Sequence, residues 1–180
     1  MTEAWRACER ILGAATGQYD GEAVTQLEHA LQCAHFARAA GAPDHLVVAA
    51  LLHDVGHLVD GAERMGALGV RAHEEVGARF LAACGLAAPV VELVRGHVEA
   101  KRYLARGATY RGRLSEASRR TLELQGGPMR DEEAAAFERD GRFEEKVMLR
   151  KLDEVAKQVG LEVAPLASYR ELVLAQGRGA

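Results

Sequence analysis

Histidine and aspartate residues recur along this chain in a pattern that could bind metal ions. Six of them fall within, or at the end of, segments whose apolar residues have helical spacing, and they are His29, His53, Asp54, His73, His97 and Asp153. Neutral imidazole and ionised carboxylate are the ligands that first-row divalent metals take where thiolate is absent. These residue types therefore suggest a metal centre, because one helical bundle would otherwise bury several polar groups without purpose.

The adjacent pair His53 and Asp54 indicates how two ions could share one site. Neighbouring side chains on a helix project about 100° apart, so the pair reaches a common point only where the helix ends, and Gly56 is predicted to end it. His57, one turn after His53, fits either support of a ligand or contact with a substrate. Because a carboxylate can bridge two ions, the order along the chain predicts one ion on His29, His53, Asp54 and Asp153, and a second on Asp54, His73 and His97.

Two cationic residues share a helix face with predicted ligands. Lys101 follows His97 by four residues and Arg150 precedes Asp153 by three, so both cations should point toward the metals. A metal centre repels cations, and this placement therefore favours a multiply charged anion lying between the metals and the two side chains. The alternative is an ordinary solvated lysine and arginine.

Helices must carry these side chains to one place, and the sequence predicts an all-α fold. Apolar residues recur at helical spacing almost throughout, with Gly-rich or Pro-containing breaks between the segments. Asp44 is predicted to cap the third helix. The predicted helices cover about Glu3 to Ala15, Val24 to Ala40, Leu46 to His53, Arg71 to Cys84, Val90 to Tyr103, Ser115 to Leu124, a short segment from Asp131, Phe143 to Val159, and Ser168 to Leu174.

Two segments between the helices are predicted to be loops. The basic string RGATYRGR, residues 106–113, follows the fifth helix. Asp60 to Gly69 contains glycines at 61, 66 and 69 and is too irregular for a helix, so it is predicted to be a mobile loop that could cover a site.

The composition indicates one globular domain over residues 1–180. At 180 residues, 48% of them hydrophobic, the chain can bury one core. A net charge of -3 gives no long-range attraction to nucleic acid or to an anionic membrane. Three cysteines, Cys8, Cys33 and Cys84, without a C-x-x-C pair make a disulfide framework improbable. With no predicted signal peptide or membrane span, a reducing cytoplasm is the expected location.

The string LLHDVGH at residues 51–57, with His29 before it and His73, His97 and Asp153 after it, resembles the HD-domain superfamily of metal-dependent phosphohydrolases and oxygenases. With the additional pair His73 and His97, the sequence resembles the binuclear branch of this superfamily. Three further stretches are similar to the phosphonate-cleaving oxygenases called PhnZ: QYDGEAVTQLEHALQCA, GHVEAKRYL and YRGRLSEASRRTLELQGGPM. The similarity covers most of residues 18–160, the expected metal-binding core of a single HD domain.

This resemblance implies a function and a set of roles. The function is that of an oxygenase with a mixed-valence Fe(II)/Fe(III) pair and dioxygen as co-substrate. It would cleave the carbon–phosphorus bond of a 1-hydroxy-2-aminoethylphosphonate, with a free or N-methylated amine, to phosphate and a carboxylic acid such as glycine. Tyr19 and Glu22 would gate the metal, with loops around Tyr19 and Asp60 to Gly69 acting as lids. Lys101 and Arg150 would hold the phosphonate, with a hydroxyl contact from Ser115 or Ser118.

Two other functions remain open from the residues alone. The same ligands could hold manganese, cobalt or iron in a phosphohydrolase that activates a bridging water. A non-catalytic HD-like signalling module could keep the helices, although it would not need all six ligands. The sequence leaves open the amine end of the substrate, the identity of the metal and the oligomeric state.

Overall fold

Helices make up the architecture, which confirms the all-α prediction. The computed structural model describes residues 3–17, 19, 22–65 and 69–177. Short 3-10 helices cover Val55–Leu58 and Leu166–Tyr169. Within the described residues, no helix is both long and apolar enough to cross a membrane. The α-helices there are α1 Glu3–Gly13, α2 Gln26–Ala39, α3 Asp44–Leu52, α4 His73–Ala83, α5 Ala88–Leu104, α6 Ala108–Arg113, α7 Glu116–Leu124, α8 Asp131–Phe137, α9 Phe143–Val155 and α10 Arg170–Ala175.

The helix α3 forms the centre of the bundle and positions the predicted ligands His53 and Asp54. Every residue from Leu46 to Leu52 is apolar and buried. A helix that is apolar on all sides must be surrounded, and α3 packs against α2, α5 and α9, while α4 packs along α5. The C-terminal end of α3 therefore lies inside the protein, which is where His53 and Asp54 follow it.

The first residues of α2 and α3 differ from the predicted ones, Val24 and Leu46, because other residues take the cap positions. The Thr25 hydroxyl accepts a hydrogen bond from the Glu28 N–H at 3.1 Å, and the Glu28 carboxylate accepts one from the Thr25 N–H at 2.6 Å. This reciprocal capping box begins α2 at Gln26, two residues later than predicted. Asp44 does not cap α3 as predicted, since it is the first helical residue and Pro43 takes the cap position.

The end of α9 was predicted four residues too late. The Ala156 carbonyl faces His29 Nδ1 at 2.8 Å. The Gln158 N–H and carbonyl pair with the side chain of Gln32 at 2.9 and 2.8 Å. Because these tertiary hydrogen bonds replace helical ones, α9 ends at Val155, and Ala156, the next residue, is buried.

The basic string at residues 106–113 is largely helical rather than a loop. It forms α6, Ala108–Arg113. From α6 the Tyr110 hydroxyl accepts a hydrogen bond from Arg150 Nε at 2.9 Å. Residues 66–68 of the predicted Asp60 to Gly69 loop lie outside the described residues. Met65 and Gly69, on either side of them, are joined by a hydrogen bond from the Met65 N–H to the Gly69 carbonyl.

Gly56 has a different structural role from the predicted one. The helix α3 ends at Leu52, and Gly56 lies within the following 3-10 helix. A Cβ at this position would collide with the His73 carbonyl and lie 2.8 Å from the Gly77 amide nitrogen. Glycine is therefore required because the backbone after Asp54 packs directly on the first turn of α4. This close approach brings His73 beside Asp54.

Substitution of Gly56 by alanine should destabilise the protein. The added methyl group meets backbone rather than a flexible side chain, so the two segments must separate, at a cost of about 2 kcal/mol or more. Gly13→Ala is the matched control, because nothing lies within 4 Å of a Cβ there. Urea denaturation of both variants measures the effect. Equal unfolding free energies for the two would contradict this account of the packing.

Candidate metal centre

Five segments of the fold bring the six predicted ligands to one place. The side chains are buried, with Asp54 the most exposed at 11%. All six side chains lie at the ends or on the interior faces of helices. The surrounding core therefore holds the backbone that carries each of them. They come from α2 (His29), the turn after α3 (His53, Asp54), the first residue of α4 (His73), the middle of α5 (His97) and the end of α9 (Asp153).

Asp54 lies between two pairs of histidines. Its Oδ2 atom is 3.4 Å from His53 Nε2 and 3.7 Å from His29 Nε2. Its Oδ1 atom is 3.4 Å from His73 Nε2 and 3.6 Å from His97 Nε2. Each carboxylate oxygen thus faces a different pair of imidazoles, the arrangement that a carboxylate bridging two ions requires.

Asp153 belongs to the pair on the Oδ2 side. Its Oδ1 atom is 3.3 Å from His29 Nε2 and 3.9 Å from His53 Nε2. We define the first donor group as His29, His53, Asp153 and Asp54 Oδ2, and the second donor group as His73, His97 and Asp54 Oδ1. This grouping is the same partition of ligands that the order of residues along the chain predicts.

Hydrogen bonds on the far side of the rings direct lone pairs into both groups. The Nδ1 atoms of His29, His53 and His97 face the carbonyls of Ala156, Ala50 and Val94 at 2.8, 2.9 and 2.7 Å. Each Nδ1 must donate a proton to its carbonyl, so in the neutral ring Nε2 carries the lone pair. Nε2 is the atom that faces Asp54 in every case.

Two further observations fit a cation in each group. His29 Nε2 and His53 Nε2 lie 3.2 Å apart, and His73 Nε2 and His97 Nε2 lie 2.9 Å apart. Facing lone pairs at such distances repel each other unless a proton or a metal ion lies between them. In the described part of the chain, no donor hydrogen-bonds to the buried Asp153 Oδ1. The donor set therefore fits metal ions, with all six side chains aimed inward.

The pKa values of the first donor group indicate where protons reside without metal. Burial alone would lower the pKa of His53, but the charge and hydrogen bond of Asp54 outweigh it and raise that pKa to about 9. Burial would raise the pKa of Asp54, but His53 and His73 hold it well below its usual value. At neutral pH the metal-free protein therefore holds a proton on His53.

Metal uptake at pH 7.5 should release about one proton per chain from His53, because a ligand imidazole must be neutral. The raised pKa fixes the sign: apparent affinity falls as pH decreases below about 9. Calorimetric titration of metal-free protein with Fe(II), without oxygen and in buffers of different ionisation enthalpy, counts the protons. Release of none would contradict the proposed ligand role of His53.

Lys101 and Arg150 line the pocket beside the donor groups. Lys101 Nζ donates to Thr121 Oγ1 at 2.6 Å and to Gln125 Oε1 at 3.0 Å. Burial and the charge of Arg150 lower the pKa of Lys101 to about 7. Its ammonium has only neutral hydrogen-bond acceptors among these partners, so an anion in the pocket would be its natural counter-ion.

Arg150 is tied to the first donor group through Asp153. Its guanidinium pairs with Asp153 Oδ2 and with Glu154, and burial is outweighed by the charge of Asp153, so the pKa of Arg150 is raised. Because Arg150 occupies Oδ2, the other carboxylate oxygen of Asp153 is left to face the histidines. Arg150 thus orients Asp153 as well as presenting charge to the pocket.

Tyr19 and Glu22 also line this pocket. The Tyr19 hydroxyl donates to Asp54 Oδ2 at 2.6 Å, and its ring stacks on His29 with centroids 4.4 Å apart. Glu22 Oε1 accepts from Lys157 Nζ at 2.8 Å. Tyr19 therefore touches the first donor group directly, whereas Glu22 is paired with a lysine. Gln18, Asp20 and Gly21, next to these residues, lie outside the described part of the chain.

By distance alone, His57 and Cys33 could also be ligands. His57 Nδ1 accepts from the Val70 N–H at 3.0 Å, so the neutral ring carries its proton on Nε2 and can donate there but not ligate. Burial and the charge of His73 lower the pKa of His57 to about 3. Burial raises the pKa of the Cys33 thiol well above its usual value, and a protonated thiol is a poor ligand.

The two candidate serines have different positions. Ser115 caps α7, where its hydroxyl accepts from the Ser118 N–H at 3.1 Å, and it also hydrogen-bonds to Glu22. Ser118 lines the pocket together with Thr121 and Gln125.

Four residues of the site and its support were not predicted from the sequence: Tyr110, Thr121, Gln125 and Lys157. Only Lys157 had a clear signal, since it follows Asp153 by four residues, the spacing that identified Lys101.

A helical bundle with a buried histidine and aspartate centre at the end of its central helix defines a class of protein. The HD domain family model matches residues 27–140, which include five of the six predicted ligands and leave out Asp153. The chain therefore belongs to the HD-domain family.

Two relatives that match most of the chain are named as dioxygenases. The chain is 44% identical over 159 residues to 1-hydroxy-2-(trimethylamino)ethylphosphonate dioxygenase (glycine-betaine-forming) of Leisingera caerulea, covering 87% of this chain and 81% of that protein. It is 46% identical over 155 residues to hydroxymethylphosphonate dioxygenase of Gimesia maris, covering 84% and 76%. An uncharacterized protein of Acanthamoeba polyphaga mimivirus is 38% identical over 160 residues, covering 87% and 73%.

Proposed function

We propose that this chain is an HD-domain di-iron oxygenase that cleaves the carbon–phosphorus bond of a 1-hydroxyphosphonate. The substrate class comprises hydroxymethylphosphonate and 1-hydroxy-2-aminoethylphosphonates with a free or methylated amine. One dioxygen oxidises C1 to the level of a carboxylic acid while phosphorus leaves as inorganic phosphate, which balances atoms and electrons without a further reductant. The observation that carries the proposal is the position of Asp54, with one oxygen toward each pair of histidines.

The charges in the pocket support an anionic substrate. A phosphonate carries up to two negative charges, and the pocket offers Lys101 and Arg150 on the side of α5 and α9. Lys101 can donate to the phosphonate while Thr121 and Gln125 hold its ammonium in place. Neutralisation of the phosphonate by these cations would fix C1 beside the donor groups.

The remaining proposed roles belong to the metal ions and to the side chains around them. Two iron ions held by the donor groups would supply the redox chemistry that dioxygen requires. We assign substrate contacts to two further lining residues: the neutral His57 ring can donate from Nε2, and the Ser118 hydroxyl can hydrogen-bond to the phosphonate. Tyr19 shields the first donor group until substrate binds, and Ser115 helps to hold Glu22 in position.

Oxygen dependence is the test that separates this proposal from a phosphohydrolase. Phosphate release from hydroxymethylphosphonate by iron-loaded protein should require dioxygen and consume about one dioxygen per phosphate, with formate as the other product. An oxygen electrode and a phosphate assay measure both quantities. Phosphate release that continues at the same rate under strict exclusion of oxygen would favour hydrolysis, and absence of release from all the hydroxyphosphonates would reject the proposal.

A further inference from the structure

Lys157 is a third cation in the pocket and is not used by the proposed reaction. Its Nζ atom lies 2.8 Å from Glu22 Oε1, and the two side chains are only 15% and 13% exposed. Burial alone would raise the pKa of Glu22, but hydrogen bonds from Lys157 and Ser115 lower it. Among the described acidic residues that line the pocket, Glu22 is the one that does not belong to a donor group.

Lys157 also lies over the aromatic ring that faces the pocket. Its Nζ atom is 5.7 Å from the centroid of Tyr19, within the range of a cation–π interaction. Tyr19 is the only phenylalanine, tyrosine or tryptophan among the described lining residues. A carboxylate and an aromatic face are the two groups that recognise an organic ammonium ion, and here the protein's own ammonium contacts both.

The backbone at Lys157 is fixed on both sides, so the side chain is the part that can change position. Ala156 bonds through its carbonyl to His29, and Gln158 pairs with Gln32. Lys157 therefore holds its Nζ between Glu22 and Tyr19 from a rigid attachment, about one helical turn beyond Asp153.

We propose that Lys157 is a specificity-determining residue whose ammonium occupies the subsite that a substrate ammonium would need. This inference rests on the proposed function. A 2-amino-1-hydroxyethylphosphonate must displace Lys157 from Glu22 and leave two cations close together. Hydroxymethylphosphonate has no such group and leaves the ion pair intact. Lys157 thus lowers the relative preference for ammonium-bearing substrates.

The ratio of kcat/KM for 2-amino-1-hydroxyethylphosphonate to that for hydroxymethylphosphonate tests the inference. In Lys157→Gln and Lys157→Met this ratio should rise about tenfold over wild type, mainly through a lower KM for the amine. Lys157→Arg, which keeps the charge, should retain the wild-type ratio. Calorimetric binding of the amine substrate to iron-loaded protein without oxygen should show the same gain in affinity.

The outcomes separate this inference from the function on which it rests. Turnover of both substrates with a ratio unchanged in Lys157→Gln and Lys157→Met would overturn the role of Lys157 and leave the oxygenase proposal intact. An equal rise of the ratio in Lys157→Arg would also overturn it, because the charge would then be irrelevant. Failure of the wild type to release phosphate from these two substrates and from the N-methylated 1-hydroxy-2-aminoethylphosphonates would reject both the role of Lys157 and the oxygenase proposal.

Discussion

Replacement of Asp54 by asparagine should remove metal from both donor groups and abolish turnover. An amide has nearly the same shape but no charge, and only its one oxygen can ligate, so it cannot join two cations as the carboxylate does. Loss of even an outer hydrogen bond to a metal ligand weakens binding about 10- to 100-fold, so loss of the bridge should weaken it by at least about 100-fold. Metal analysis of purified protein and the rate of phosphate release measure the two effects.

Asp44→Asn is the matched control, because Asp44 is exposed and outside the pocket. It should retain wild-type metal content and activity. Circular dichroism and thermal unfolding establish that both variants are folded. Asp54→Asn protein that kept two equivalents of metal per chain would show that Asp54 is not the bridge.

Replacement of Lys101 by methionine should leave the metals in place and reduce kcat/KM for a hydroxyphosphonate about 100-fold, since a charge-assisted hydrogen bond to an anion contributes about 1.5–3 kcal/mol. Methionine retains the apolar stem of the side chain and removes only the ammonium. The hydrogen-bond partners of that ammonium are Thr121 and Gln125, neither of which is a predicted metal ligand. Steady-state kinetics together with metal analysis separate the two effects.

Lys151→Met, at an exposed position on α9, controls for the loss of a positive charge and should keep normal kinetics. Arg150→Met provides a contrast, because Arg150 pairs with Asp153. It should lower metal content as well as kcat/KM. Full activity of Lys101→Met would remove Lys101 from the phosphonate site.

The grouping of the candidate ligands could be predicted from sequence because several of these residues have local relationships. The adjacency of His53 and Asp54 requires a helix end, and the spacing of Lys101 from His97 and of Arg150 from Asp153 places the cations on the ligand faces. The structure has these cations lining one pocket with the ligands. The all-α class followed from the apolar periodicity in the same way.

The parts that could not be predicted depend on contacts between distant segments. The early end of α9 depends on hydrogen bonds between Gln158 and Gln32, which are 126 residues apart. The need for glycine at position 56 arises only when α4 packs against it. Neither of these contacts can be inferred from the local sequence. The helical periodicity therefore predicted a longer α9, and Gly56 was interpreted as the end of a helix.

Anomalous diffraction from crystals of iron-loaded protein is the most direct measurement of the central claim. Two iron peaks are expected about 3.5–4 Å apart, on either side of the Asp54 carboxylate. One should lie among His29, His53 and Asp153, and the other beside His73 and His97. A single peak, or iron bound away from Asp54, would contradict the binuclear centre and with it the proposed oxygenase.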